Sequence, residues 1–141
     1  MRVLVDTNVI AELRKGPRAN ANVRTWFAGL EPDAVVLSAL TIGEIGRGVE
    51  SLRRRDAAAA RVLDRWLRRL VADHGDAVLP VTGAIAEEWG RLSVPDPLPV
   101  IDGLLAATAR VHHLTLATRN VKDVARTGVD LVNPFEVSAE R

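Results

Sequence analysis

The sequence predicts an α/β fold, with helices packed on both faces of a central, mostly parallel sheet. Three observations carry that reading. Val3-Leu4-Val5 is an apolar run without polar alternation, the pattern of a strand buried on both faces. Further short apolar runs recur along the chain, each separated from the next by a segment of helical periodicity. Small polar residues suited to capping, Asn20, Ser38, Asp56 and Thr82, stand where those helical segments begin. Strands alternating with helices build a three-layer domain, here with a sheet of about five strands.

The first strand is Val3 to Val5, and Asp6, Thr7 and Asn8 follow where it ends. Glu12 to Arg18 reads as a short basic connector closing on Gly16-Pro17. Asn20 caps a helix whose face is Val23, Trp26, Phe27 and Leu30, a set at i, i+3, i+4 and i+7. Ala34 to Leu37 is the second strand, and Ser38 caps a helix with Ile42, Ile45, Val49 and Leu52 on one face. Gly43, Gly46 and Gly48 interrupt it, each costing about 1 kcal/mol against Ala, so a close approach is expected there.

After Arg53-Arg54-Arg55, Asp56 starts a strongly amphipathic helix. Val62, Leu63, Trp66, Leu67 and Leu70 face inward; Arg61, Arg65, Arg68 and Arg69 face outward; Gly75 ends it. Ala77 to Val81 is the third strand, and Thr82 caps a helix through Ile85, Ala86, Trp89 and Leu92. Pro95-Asp96-Pro97-Leu98-Pro99 is a stiff loop that cannot be helical. Ile101 to Arg110 is a helix of small residues; Leu114 to Thr118 and Val129 to Val132 complete the strands. With 141 residues and no internal boundary, residues 1–141 read as one domain.

Composition removes several function classes. The chain has no Cys, which excludes disulfides and thiolate metal sites and fits a reducing compartment. No apolar run approaches the roughly 18 residues of a membrane span. Met1-Arg2 leads directly into the first strand, so no signal peptide is expected and the reading is cytoplasmic. The net charge of +1 neither announces nor excludes a nucleic-acid binder.

The chemistry lies in the acidic residues. Ligands of open α/β sheets bind outside the carboxyl ends of the strands. Asp6, Glu44, Asp102 and Asp123 are all placed to reach that edge: after strand one, early in the helix after strand two, at the start of the helix after the proline loop, and just past strand four. Close carboxylates repel by about 1–4 kcal/mol per pair unless a cation sits between them. Oxygen-only ligands without Cys or paired His suit Mg2+, with Mn2+ also possible. Each residue also has a plain structural role open to it. Asp6 and Asp102 suit helix caps, Thr41-Ile42-Gly43-Glu44 has the form of a capping box, and Asp123 suits a solvated loop. His112-His113, between a helix and a strand, suits a helix C-terminus or the surface.

Four blocks give the chain a family likeness: Val3-Leu4-Val5-Asp6-Thr7-Asn8, Leu37 through Ile45, Ile101 through Ala109, and Leu116 through Asp123. In this order the chain resembles PIN-domain ribonucleases, particularly VapC-type toxins of toxin–antitoxin modules. The Asp102 block, Thr118-Arg119-Asn120 and the closing Asn133-Pro134-Phe135 are most similar to the FitB-like branch. Val124 departs from the Phe frequent in the family after the acidic position, a change that touches local packing only.

The resemblance implies a PIN-like three-layer fold and a Mg2+-dependent endoribonuclease that is neutralised by a cognate antitoxin. It implies Asp6, Glu44 and Asp102 as catalytic metal ligands, with Asp123 or Asn120 in the fourth position. Thr7, Asn8 and Thr118 would support the ligands by hydrogen bonds, and Arg119, with Lys122, would meet phosphates. It further implies a homodimer, an assembly with the antitoxin, an RNA substrate and no membrane. Two other classes stand beside it. One is a haloacid-dehalogenase-like phosphatase, which needs a second Asp where Asn8 stands. The other is a non-enzymatic domain whose acidic pocket docks a partner's Arg.

Overall fold

The computed structural model describes residues 2–136. Five parallel strands form one sheet: β1 (Val3–Val5), β2 (Val35–Ser38), β3 (Val78–Leu79), β4 (Thr115–Ala117) and β5 (Leu131–Val132), in the order β3-β2-β1-β4-β5. The first strand in sequence is therefore central in space. Val3 pairs with Val35 on one side and Thr115 on the other; Leu4 pairs with Val36 and Leu116. Strands buried on both faces need apolar residues at every position, and Val3, Leu4 and Val5 are each fully buried.

Their side chains alternate between two cores. Val3 and Val5 join Leu37, Ile45, Val49, Val23 and Leu67 in one. Leu4 joins Val36, Leu105, Ala106, Ala109 and Leu116 in the other. Each fully buried Val or Leu contributes on the order of 1.5–3 kcal/mol, an upper estimate given a partly collapsed unfolded chain.

Among the described residues, seven α-helices cover the faces: α1 (Thr7–Leu13), α2 (Ala21–Ala28), α3 (Ala39–Arg53), α4 (Ala57–His74), α5 (Gly83–Leu92), α6 (Val100–His112) and α7 (Val121–Val124). The expected caps form. Asn20 accepts from the Asn22 and Val23 amides, Ser38 from Leu40, Asp56 from Ala59, and Thr82 from Ile85. Gly75 stops α4 with φ +39°, a conformation that only Gly adopts without strain.

Several elements differ from the sequence reading. Thr7–Leu13, given no element in the sequence reading, is helix α1, because Asp6 caps a turn directly at the strand end; it takes in only Glu12 and Leu13 of the supposed connector. Strands β3 and β5 are shorter than their apolar runs, since edge strands have only one neighbour to extend against. Asp123 lies on the short helix α7 rather than in a loop. His113 closes α6 in the left-handed conformation with φ +57°.

Gly43, Gly46 and Gly48 meet no close neighbour: a β-carbon at each finds nothing within 4 Å. The tight approach falls instead at Gly103, where a β-carbon would lie 3.0 Å from Cδ1 of Trp89. Among the described residues no helix is long and apolar enough to cross a membrane.

Candidate active site

The carboxyl end of β1 delivers Asp6. Its amide donates to the Ala117 carbonyl at 2.9 Å, the last rung between β1 and β4, after which the chain turns into α1. One carboxylate oxygen accepts the Thr7 amide at 2.6 Å; the other accepts the Thr118 hydroxyl at 2.7 Å and the Asn8 side-chain amide at 3.3 Å. Asp6 is therefore both the cap of α1 and a member of the acidic cluster. Thr118, at the end of β4, accepts the Asn120 amide at 3.0 Å, which leaves its own proton directed at Asp6.

Glu44 arrives from the second turn of α3. Ser38 is the cap of that helix, so the capping box at Thr41–Glu44 does not form, and the Glu44 carboxylate instead accepts the Thr7 hydroxyl at 2.5 Å. Asp102 occupies the first turn of α6, but Pro99 holds the cap position and Asp102 caps nothing. Its side chain is half-buried at the recess.

These groups border one recess of about 290 Å³, lined by Asp6, Thr7, Asn8, Ala11, Glu44, Asp102 and Asn120. Among the described residues, no Lys or Arg lines it. Burial pushes the Asp6 carboxyl above the usual carboxylate range, and the Glu44 charge adds to it against the hydrogen bonds from Thr118, Thr7 and Asn8. Burial likewise raises Asp102, followed by the charges of Asp6, Asp123 and Glu44. Mutual repulsion, expected from the sequence, is thus present between the side chains.

Asp123 is exposed and outside the recess, acting on Asp102 only through its charge, whereas Asn120 borders it. Arg119 donates its backbone amide to the Asn8 side-chain oxygen at 3.2 Å. Its guanidinium lies over the Phe135 ring, 4.4 Å from the centroid. Lys122 is exposed on α7.

Asp6, Glu44 and Asp102 offer only hard oxygen donors, the set that suits Mg2+ or Mn2+. Among the described residues, however, no three His, Asp or Glu side chains converge closely enough to form a finished cage. The carboxylates border the recess without closing on one point. The donors have the chemistry that suits a divalent ion, but their arrangement here is not a finished cation site.

Two features escaped the sequence reading. Ala11 lines the recess one turn after Thr7 and Asn8, a position visible only once residues 7–13 are read as a helix. A second, apolar recess of about 320 Å³ adjoins the first through Glu44, lined by Ala39, Leu40, Gly43, Arg47, Val81 and Ile101. It draws residues from three separate helical and loop segments, and no local pattern announces it.

Comparison with known proteins places these observations in a family. The PIN domain model matches residues 3–129. The chain is 30% identical to the toxin FitB of Neisseria gonorrhoeae, over 94% of this chain and 98% of that protein. It is 28% identical to the VapC ribonuclease Y4jK of Sinorhizobium fredii, over 95% and 98%. A solved structure of FitAB bound to an IR36 DNA fragment superposes with a TM-score of 0.88 at 28% identity, covering 99% of each chain.

Proposed function

This chain belongs to the PIN domain family, and we propose that it is the toxin of a toxin–antitoxin module: a metal-dependent endoribonuclease held inactive by its cognate antitoxin. The observation that carries this reading is the meeting of Asp6, Glu44 and Asp102 at one recess that, among the described residues, no Lys or Arg lines. An unneutralised acidic cluster is costly to a fold and useful to a nuclease.

Asp6, Glu44 and Asp102 are the residues that would hold Mg2+ or Mn2+, with Asn120 nearer the fourth position than Asp123. Held by these residues, such an ion would lower the pKa of a water and stabilise the charge that develops in in-line cleavage of a phosphodiester. Thr118, Thr7 and Asn8 hold the two oxygens of Asp6 in place, and Thr7 also holds Glu44. Such support around ligands is what keeps their geometry fixed. Arg119 and Lys122, both exposed past the end of β4, are placed to meet the phosphates of an RNA strand.

The apolar recess beside Glu44 suits a helical segment of the antitoxin, which would block RNA and bring a cationic side chain to the carboxylates. We place the toxin in the cytoplasm as a homodimer that assembles further with the antitoxin. The phosphatase alternative lacks its general acid, since Asn8 stands at that position with its amide donated to Asp6. No observation favours the binding-module alternative.

The deciding experiment is incubation of the purified chain with end-labelled cellular RNA and Mg2+, beside Asp6→Asn. Discrete cleavage products from wild type, and none from the variant, are expected. Equal cleavage by both proteins, or none by either, overturns the reading.

A further inference from the structure

Gly103, the neighbour of Asp102, is buried against α5. A β-carbon there would meet Trp89 Cδ1 at 3.0 Å, Trp89 Nε1 at 3.1 Å and the Leu98 β-carbon at 3.5 Å. The Leu98 contact is ordinary, but the two to Trp89 are tighter than most packed side chains show, so the indole or the first turn of α6 would have to give by a few tenths of an ångström. The indole Nε1 is buried without a hydrogen-bond partner among the described residues, so packing rather than a hydrogen bond sets the ring's place. What the ring contributes here is therefore its volume rather than its N–H.

The neighbouring residue of α5 makes a second tie. Glu88 accepts the Arg110 guanidinium at 2.7 Å, near the other end of α6. Helix α5 therefore braces α6 at two points, one of them beside the residue that faces the carboxylates. The Gly103 amide also donates to the Pro99 carbonyl at 2.9 Å, closing the turn that contains Asp102.

We propose that the seat of Trp89 on Gly103 sets the position of Asp102 in the acidic recess, making both Gly103 and Trp89 positioning residues for the reaction. The proposal rests on the nuclease reading for its consequence and on packing alone for its geometry. Cβ of residue 103 and the Asp102 carboxylate leave the same helical turn in different directions, so a shift that relieves one displaces the other. Displacements of this kind at a positioned ligand commonly cost about tenfold or more.

The test compares wild type, Gly103→Ala, Trp89→Leu and Gly103→Ala/Trp89→Leu. Three quantities are measured: the melting temperature, Mn2+ affinity by calorimetry, and the position of Asp102 relative to Asp6 in crystal structures. Gly103→Ala is expected to bind Mn2+ about tenfold more weakly, with the α6 first turn displaced. The double variant is expected to recover both the affinity and the position seen in Trp89→Leu, because the added methyl then has room. Wild-type affinity and geometry in Gly103→Ala overturn the proposal, as does a double variant no better than Gly103→Ala. If Gly103→Ala does not fold, a double variant that also fails to fold overturns it, and one that folds supports it. A wild type that binds no Mn2+ counts against the nuclease reading, while the crystal positions still decide the packing claim.

Discussion

Thr7 donates its hydroxyl to the Glu44 carboxylate at 2.5 Å, joining α1 to α3 across 37 positions of sequence. Its amide simultaneously donates to Asp6 at 2.6 Å, so one residue holds two of the three recess carboxylates through different atoms. Replacing the side chain should therefore disturb Glu44 while leaving the bond from the Thr7 amide to Asp6 intact.

Thr7→Val keeps the shape and removes the hydroxyl. Cleavage of RNA is expected to fall by about 10–100-fold, the usual effect of losing a ligand's supporting bond. Stability should change by no more than about 1–2 kcal/mol, since the site is open on one side. Thr7→Ser should restore most of the rate. Equal kcat/KM for Thr7→Val and wild type would show that Glu44 needs no tether.

The raised carboxyls at Asp6 and Asp102 give a pH signature. A carboxylate whose folded pKa exceeds its unfolded one destabilises the metal-free fold when ionised. That penalty is full above the folded pKa, fades as pH falls through it, and vanishes below the unfolded pKa. Asp102→Asn, which has no charge to bury, should melt above the metal-free wild type at neutral pH. The gap should close in acid. Urea denaturation across pH checks this, and a variant less stable at pH 7 would identify Asp102 as a structural support.

Divalent metal should reverse that penalty. Mg2+ or Mn2+ at 100 times its dissociation constant is expected to stabilise the chain by about 2.7 kcal/mol and to raise its melting temperature. Asp6→Asn should lose most of this gain without unfolding, because Asn caps a helix about as well as Asp. Full cleavage after exhaustive EDTA treatment would remove metal from the mechanism.

Gly48 is exposed on α3 and has open space where a β-carbon would stand. Gly48→Ala should stabilise the isolated chain by about 1 kcal/mol, the helix-propensity difference. Thermal denaturation reads it directly. A loss of stability would mean that another surface comes close to this turn of α3, as in a dimer.

The apolar recess bounded by Leu40, Val81 and Ile101 should be where the antitoxin seats. Val81, 40% exposed, can be changed to Asp with little effect on the fold. Val81→Asp should weaken co-purification with the cognate antitoxin and should free the nuclease. Undiminished co-purification would place the antitoxin elsewhere.

The strand and cap residues made much of this architecture readable in advance. An all-apolar Val3-Leu4-Val5 suits a central buried strand, and Asn20, Ser38, Asp56 and Thr82 mark their helices because orphan amides need local acceptors. The acidic positions were legible for the same reason: chain order in a parallel sheet sends each strand's carboxyl end to one edge. Three of the four acidic positions, Asp6, Glu44 and Asp102, do border one recess; Asp123 stays outside it and Asn120 stands at the wall.

Local periodicity and strand direction were enough to give the five strands, helices α2 to α6, their parallel arrangement and the edge where carboxylates gather, while α1 and α7 came only with the structure. Tertiary structure alone decided which contacts finish the site. The Thr7–Glu44 and Thr118–Asp6 bonds join residues 37 and 112 positions apart, and no local pattern reports such partners. The glycines show the same division. Gly43, Gly46 and Gly48 looked constrained and stand in open space, while Gly103, unremarked in its run of small residues, lies against Trp89. A glycine's cost is local and visible in sequence; its reason is a neighbour that only folding brings.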